Sequence, residues 1–373
     1  MLKQNVILRS MVVLFLIGFC FPADAFAGEP VVWEMSSRTE LLKGGALGVS
    51  VTDNGTLTLA PRFDQVFNTE QAYVWCAAID SAGNVYLGTG HDGKIFRVTP
   101  DGKGTLFYKV SELDVTALAV TGDGAVYAAT SPDGKVYRLS GEGKAEVYFD
   151  PSDKYIWSLA VMNDGSLAVG TGDSGKLYRV RAAGAKPEAS LLISTNQTHV
   201  MSLAVNKQGD LIAGTDPGGL VLRISPDGKA FGLYDASLRE IHALAAAPDG
   251  SVYALALSEA AGASRGATQP ASPATDAAAI AAMAVAAEEG AVVAQPQAAQ
   301  PARSRNDLSN ARSAVFHILP DGSTDTLWSS TSITAFSVVS APGGGVLIGT
   351  SDKGRIYSVT DDGRDTLLLQ SSE

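Results

Sequence analysis

The residues with chemistry to offer recur at two fixed positions. Tyr73, Asp114, Tyr155, His199, Glu240 and Ser332 occupy the first, and Trp75, Thr116, Trp157, Met201, His242 and Thr334 stand two residues further on. Around them the residue type stays the same from one occurrence to the next, whereas these positions run from aromatic to acidic to imidazole. Aromatic walls with a few placed polar groups are what ligand pockets are made of, and a Tyr/Trp pair suits stacking on a sugar ring or gripping a peptide side chain. Tyr73, Trp75, Asp114, Tyr155, Trp157, His199, Glu240 and His242 form the candidate ligand-binding set. The same residue types also serve structure: Trp75 and Trp157 as fillers between packed elements, His199 and His242 as ordinary lining residues. Two histidines with Glu240 are of the kinds that hold a metal or transfer a proton. Three loosely placed residues drawn from two repeats make a weak constellation, and neither a metal nor another cofactor is expected. No Gly-x-Ser-x-Gly elbow, phosphate loop or Cys-x-x-Cys pair occurs, so no catalytic residue is assigned.

What must position these residues is a repeat. The run Val115–Val120 leads through Gly122-Asp-Gly124 to Val126–Thr130, then through Pro132-Asp-Gly134 to Val136–Leu139, then through Gly141-Glu-Gly143 to Ala145–Phe149. These are four short β-rich runs separated by Gly turns, where positive φ is accepted without a Cβ clash. The phrase restarts at Val74, Val115, Ile156, Val200, Ile241 and Ile333, at steps of 41, 41, 44, 41 and 92 residues. The second run closes on Gly88-Thr89, Ala129-Thr130, Gly170-Thr171, Gly214-Thr215 and Gly349-Thr350. Arg97, Arg138, Arg179 and Arg223 recur in the third, a regularity that points to a repeated contact with a turn carboxylate. Asp-Gly pairs resemble calcium-loop fragments but lack the spaced acidic ladder, so they read as turns.

Four strands per unit of about 40 residues is propeller spacing. The chain therefore reads as all-β, a propeller of four-stranded blades over 46–373. Leu47–Thr52, Thr56–Leu59 and Phe63–Phe67 read as strands of a divergent first unit, so seven blades are preferred and six are the alternative. Residues 257–313, rich in Ala, Pro, Gln and Ser, interrupt the fifth repeat as a low-complexity insertion expected to be largely disordered. Within it Thr275 and Asp276 cap a potential short helix over 277–289. The repeat resembles the WD40/NHL-like propeller superfamily, though no Gly-His start, Trp-Asp end or kelch-type glycine pair recurs. That resemblance implies architecture and leaves function open, because such folds host enzymes, sensors and scaffolds.

The first 27 residues read as a secretory signal: Lys3 and Arg9, an apolar run Met11–Phe21, then Ala25 and Ala27 before a cut at Gly28. Phe19 argues against lipidation at Cys20, and the run is too short to span a bilayer. Residues 28–45 form a leader. Cleavage moves the net charge from −11 to −12, a surface that repels phosphate backbones, so nucleic acid is not an expected partner. Cys76 is the cysteine left, read as a small buried hydrophobe. The chain is thus expected to be a periplasmic or extracellular monomer without a membrane span. The leading function is a non-catalytic module binding a protein, peptide or glycan. The alternatives are a lactonase-like hydrolase or lyase at the channel mouth, drawing on Glu240, His242, His199 and Asp114, and a sensory ligand-binding domain.

Overall fold

A computed structural model describes Met35 and residues 37–183, 186–258 and 307–371. In it the repeats become six antiparallel sheets, blades I to VI, each repeat supplying four strands in sequence order from the axis outward and blade VI gaining two more from the N-terminal hairpin. Blade I runs Val74–Ile79, Val85–Thr89, Lys94–Val98 and Gly104–Lys109. The inner strands of blades II to VI are Asp114–Val120, Ile156–Val161, His199–Val205, Glu240–Ala246 and Ala335–Ser340. The chain is a six-bladed β-propeller, the alternative of the two blade counts.

The recurring Thr now has a physical reason. Thr89, Thr130, Thr171 and Thr215 are fully buried, and each hydroxyl donates to the carbonyl five residues on, at 2.9, 3.2, 3.2 and 3.3 Å. The bond closes the turn between the second and third strands from inside, where no water reaches. Each recurring Arg meets a carboxylate, but the contact does not repeat: Arg97 reaches Glu142 in a turn of the next blade, Arg138 the cross-strand Glu146, and Arg179 and Arg223 reach Asp164 and Asp210 between the first two strands of their own blades.

Five apolar cores lie between successive blades. Tyr86, Ile95 and Phe107 of blade I meet Val115, Leu118 and Val126 of blade II, and the pattern repeats to the junction of blades V and VI. Among the described residues no such core joins blade VI to blade I. Val115, Ile156, Val200, Ile241 and Ala335, which hold the place of Val74 in the pairing with the second strand, are all 0% exposed, whereas Val74 in blade I is 46% exposed. On the facing side Val339 of blade VI is 55% exposed. Among the described residues the ring has no packed apolar closure at this sector.

The preferred seventh blade does not form. Val49–Val51 and Leu57–Leu59 make a hairpin, but it adds to the outer edge of blade VI through Val51 and Leu367. Its strands have three residues each, and Leu57 and Leu59 stay exposed. Residues 63–67 form no strand; Phe67 instead packs on Phe96 of blade I at 5.7 Å. A four-residue helix, Arg38–Leu41, with a Ser37/Glu40 capping box, precedes the hairpin. It is tied to blade VI by the Arg38–Asp365 ion pair, while Arg355 donates to the carbonyls of Leu42 and Gly44.

The sixth repeat is also shifted by two residues from its sequence reading. Ala335, not Ile333, pairs with Thr350 as Val74 pairs with Thr89. Ile333 lies before the strand and packs against the core of blades V and VI; its β-branched side chain made it look like the strand's first residue. The flanks of the insertion are longer than expected, since Leu257 pairs with Ser313 and both are 0% exposed. Leu308 and Ala311 pack beside them. The predicted signal segment, the leader up to residue 34 and the helix at 277–289 lie outside the described residues.

Candidate functional site

At the mouth the inner strands begin, and the chain arrives there from the preceding blade. In blade I the rings of Tyr73 and Trp75 stack, centroids 5.0 Å apart and 3° from parallel. Trp75 sits where the pairing slips between Val74 and Cys76, a bulge that re-aims a side chain. Its indole Nε1 donates to Asp114 Oδ1 of blade II at 3.3 Å, and the backbone N–H of His91 donates to the same oxygen at 3.0 Å. The His91 ring meets Tyr73 edge-on at 5.0 Å. Tyr73 and Trp75 remain 45% and 48% exposed.

Blade III repeats the arrangement with the openings filled. Tyr155 and Trp157 stack at 5.2 Å, and Trp157 Nε1 donates to His199 Nδ1 of blade IV at 3.1 Å. That bond leaves the proton of a neutral His199 on Nε2. The Lys154 ammonium lies 4.9 Å from the Tyr155 ring centre. In blade V, His242 Nδ1 is 2.6 Å from Glu240 Oε1, and the His242 ring faces Phe336 of blade VI edge-on at 5.8 Å. A carboxylate there orients the imidazole for proton transfer.

The eight candidate residues therefore gather in three clusters, centred on Trp75, Trp157 and His242, each reaching from one blade to the next. The two-residue shift puts Thr334 and Phe336 at the mouth positions of blade VI, replacing Ser332 and Thr334. His91, Lys154 and Phe336 were not singled out from the sequence. Lys154 was legible as the basic neighbour of Tyr155; His91 lies in a turn whose left-handed φ of 67° is visible only in the structure.

A second set also went unrecognised. Buried Glu112 accepts from Lys135 Nζ at 2.8 Å and from the Tyr137 hydroxyl at 3.2 Å. Forty-one residues later buried Asp153 accepts from Lys176 at 3.3 Å and from Tyr178 at 3.1 Å. The recurrence marks these clusters as blade-to-blade pins, and the 41-residue step would have revealed them. Burial raises the Glu112 pKa, but the bonds from Lys135, the backbone, Tyr137 and Ser111 outweigh it and hold the carboxyl below its usual range. Cys76 is half-buried, its Sγ donating to the Val115 carbonyl at 3.3 Å. Ser158 and Ser202 make the same bond to the next blade. Burial pushes the Cys76 thiol up to about 12 against the lowering effect of a Gly88 backbone bond.

Among the described residues no three His, Cys, Asp or Glu side chains stand close enough to hold a metal ion, and no helix is long and apolar enough to cross a membrane.

Compared with protein-family models and with curated proteins, the chain finds no match. Solved structures do resemble it. Virginiamycin B lyase from Staphylococcus aureus superposes with a TM-score of 0.56 at 15% identity, over 82% of this chain and 85% of that one. A catalytically inactive alanine variant of that enzyme with quinupristin gives 0.55 at 13% identity, over 85% and 86%. A streptogramin B lyase gives 0.52 at 14%, over 84% and 82%. At such identities the likeness shows the β-propeller fold alone.

Proposed function

We propose that this chain is an exported, non-catalytic binding module whose propeller mouth grips a protein, peptide or glycan. The observation that carries this reading is the stacked Tyr73–Trp75 pair, half exposed yet fixed by Asp114 from the next blade. An exposed aromatic pair held rigid offers contact area at little entropic cost. The test is capture from the native envelope fraction by immobilised wild-type protein and by a Y73A/W75A double variant. Partners retained by the wild type and lost by the variant support the reading; identical capture by both sinks it. Export is checked separately, by N-terminal sequencing that should begin within a few residues of Gly28.

A second reading has one observation in its favour, the 2.6 Å contact between Glu240 and His242, an acid–base pair on a fold shared with lyases. Turnover of quinupristin or of a simple lactone, abolished in E240Q and H242A, would establish it.

A further inference from the structure

We infer that the exposed Tyr73–Trp75 pair, beside the carboxylate of Asp114, receives an organic cation, an ammonium or a guanidinium group. The inference rests on the mouth being the binding site and names the chemistry that site selects.

The chain contains its own example. In blade III an ammonium group, that of Lys154, lies 4.9 Å from the ring centre of Tyr155, the counterpart of Tyr73 in the stacked pair of blade I. Aromatic faces attract cations through the ring quadrupole. The residue of blade I that corresponds to Lys154 is Ala72, which brings no charge. Trp75 is left 48% exposed.

Asp114 supplies the charge. Its Oδ1 takes both the Trp75 indole and the His91 backbone N–H, at 3.3 and 3.0 Å, while no donor among the described residues reaches Oδ2. An incoming cation would meet an aromatic face and a free carboxylate oxygen together. Asp133 and Asp173, on the corresponding turns of blades II and III, are exposed, and both act through their charge on the Lys154 ammonium. With a net charge of −11, the surface steers cations toward this rim. An anionic ligand is repelled by Asp114, and a neutral sugar would leave that carboxylate oxygen without a counter-charge.

The experiment follows the Trp75 indole N–H resonance in ¹⁵N-labelled protein, assigned with W75F, at matched ionic strength. The probes are choline, the blocked peptides acetyl-Gly-Arg-Gly-amide and acetyl-Gly-Lys-Gly-amide, and the neutral controls methyl glucoside and acetyl-Gly-Gly-Gly-amide. A saturable shift with cationic probes alone, weakened about fivefold or more in D114N, is the expected result. Choline binding as tightly as the peptides points to a free ammonium ligand; a preference for the peptides points to a basic polypeptide. If the glucoside or neutral peptide shifts Trp75 as strongly as the cations, the cation assignment is overturned while the mouth remains a binding site. If no probe moves the resonance, or D114N binds like wild type, the inference is also overturned. Envelope capture by Y73A/W75A then decides separately whether the mouth binds anything.

Discussion

Gly90 and Trp75 are a matched pair: a β-carbon built on Gly90 would lie 2.1 Å from the indole Nε1. Gly172 stands in the same relation to Trp157, at 2.4 Å. The N–H edge of the indole abuts the end of the second strand, and a β-carbon there would collide with it. Repeats with Ser131 or Asp216 at that place carry Thr116 or Met201 where the tryptophan would be.

Neither Gly90 nor Gly172 needs positive φ, so Gly90→Ala is tolerated by the backbone and its effect falls on the indole. The variant should fold within about 1 kcal/mol of wild type yet displace Trp75 and break its bond to Asp114. The Trp75 indole N–H resonance should move, and mouth binding should fall as in W75A. An unmoved resonance would show that the backbone gives way instead.

In blade III the two aromatics should separate by stability. Trp157 is half-buried and bonded to His199, so Trp157→Ala should cost about 2 kcal/mol, below the 3–5 of a fully buried large aromatic. Tyr155→Ala, which removes a ring lying under Lys154, should cost about 1 kcal/mol or less. Urea unfolding of both variants measures the difference; equal losses would make both rings blade packing and exclude a recognition role for Tyr155.

Cys76 occupies the place of Ser158 and Ser202. Cys76→Ser should therefore unfold at nearly the wild-type urea midpoint. In the wild type the thiol should resist alkylation at pH 8 until the protein unfolds, because burial holds it protonated, its pKa near 12. Rapid labelling of folded protein would show that blade I opens locally.

The six strand quartets were legible because short, near-continuous apolar runs and Gly turns are local signals, and repetition confirmed each against the next. Closure was not, since whether Val74 is covered depends on a partner surface more than 260 residues away in the chain. Likewise the Tyr/Trp pairs could be read from spacing, but not that Lys154 fills one and leaves the other open. The seventh blade failed for a related reason: residues 46–67 show strand-like alternation, but they contain no counterpart of the buried inner strands. Ile333 misled because hydrophobic type alone does not separate a strand's first residue from a buried loop residue two places earlier.

Leu257 and Ser313 already pair, and the Ser258 N–H donates to the Arg312 carbonyl at 3.0 Å. Blade V therefore needs no help from residues 259–306 to hold its middle strands together. Replacing them by a short Gly-Ser bridge shortens a loop whose closure costs only about 0.6 kcal/mol per doubling of length. The urea midpoint should stay close to wild type. A loss of several kcal/mol would show that the excised segment packs on the propeller.

The Glu112 pin gives the fold a pH dependence with a definite sign. Its carboxyl is held below the ordinary value of 4.5 in the folded chain, so the unfolded chain binds the proton first on acidification. The stabilisation is then fully present above that ordinary value and is lost as pH falls through the lower folded value. At neutral pH Glu112→Gln should cost on the order of 1–3 kcal/mol, because Lys135, 28% exposed at its side chain, loses its counter-charge and Tyr137 an ionised acceptor. Below the folded pKa the wild-type carboxyl is itself neutral, so the two proteins should converge in stability. Urea midpoints measured for both from neutral pH down to the onset of acid unfolding test this. A gap that stays constant across that range would mean Glu112 contributes through shape and neutral hydrogen bonds, and that its charge adds nothing to the junction of blades I and II.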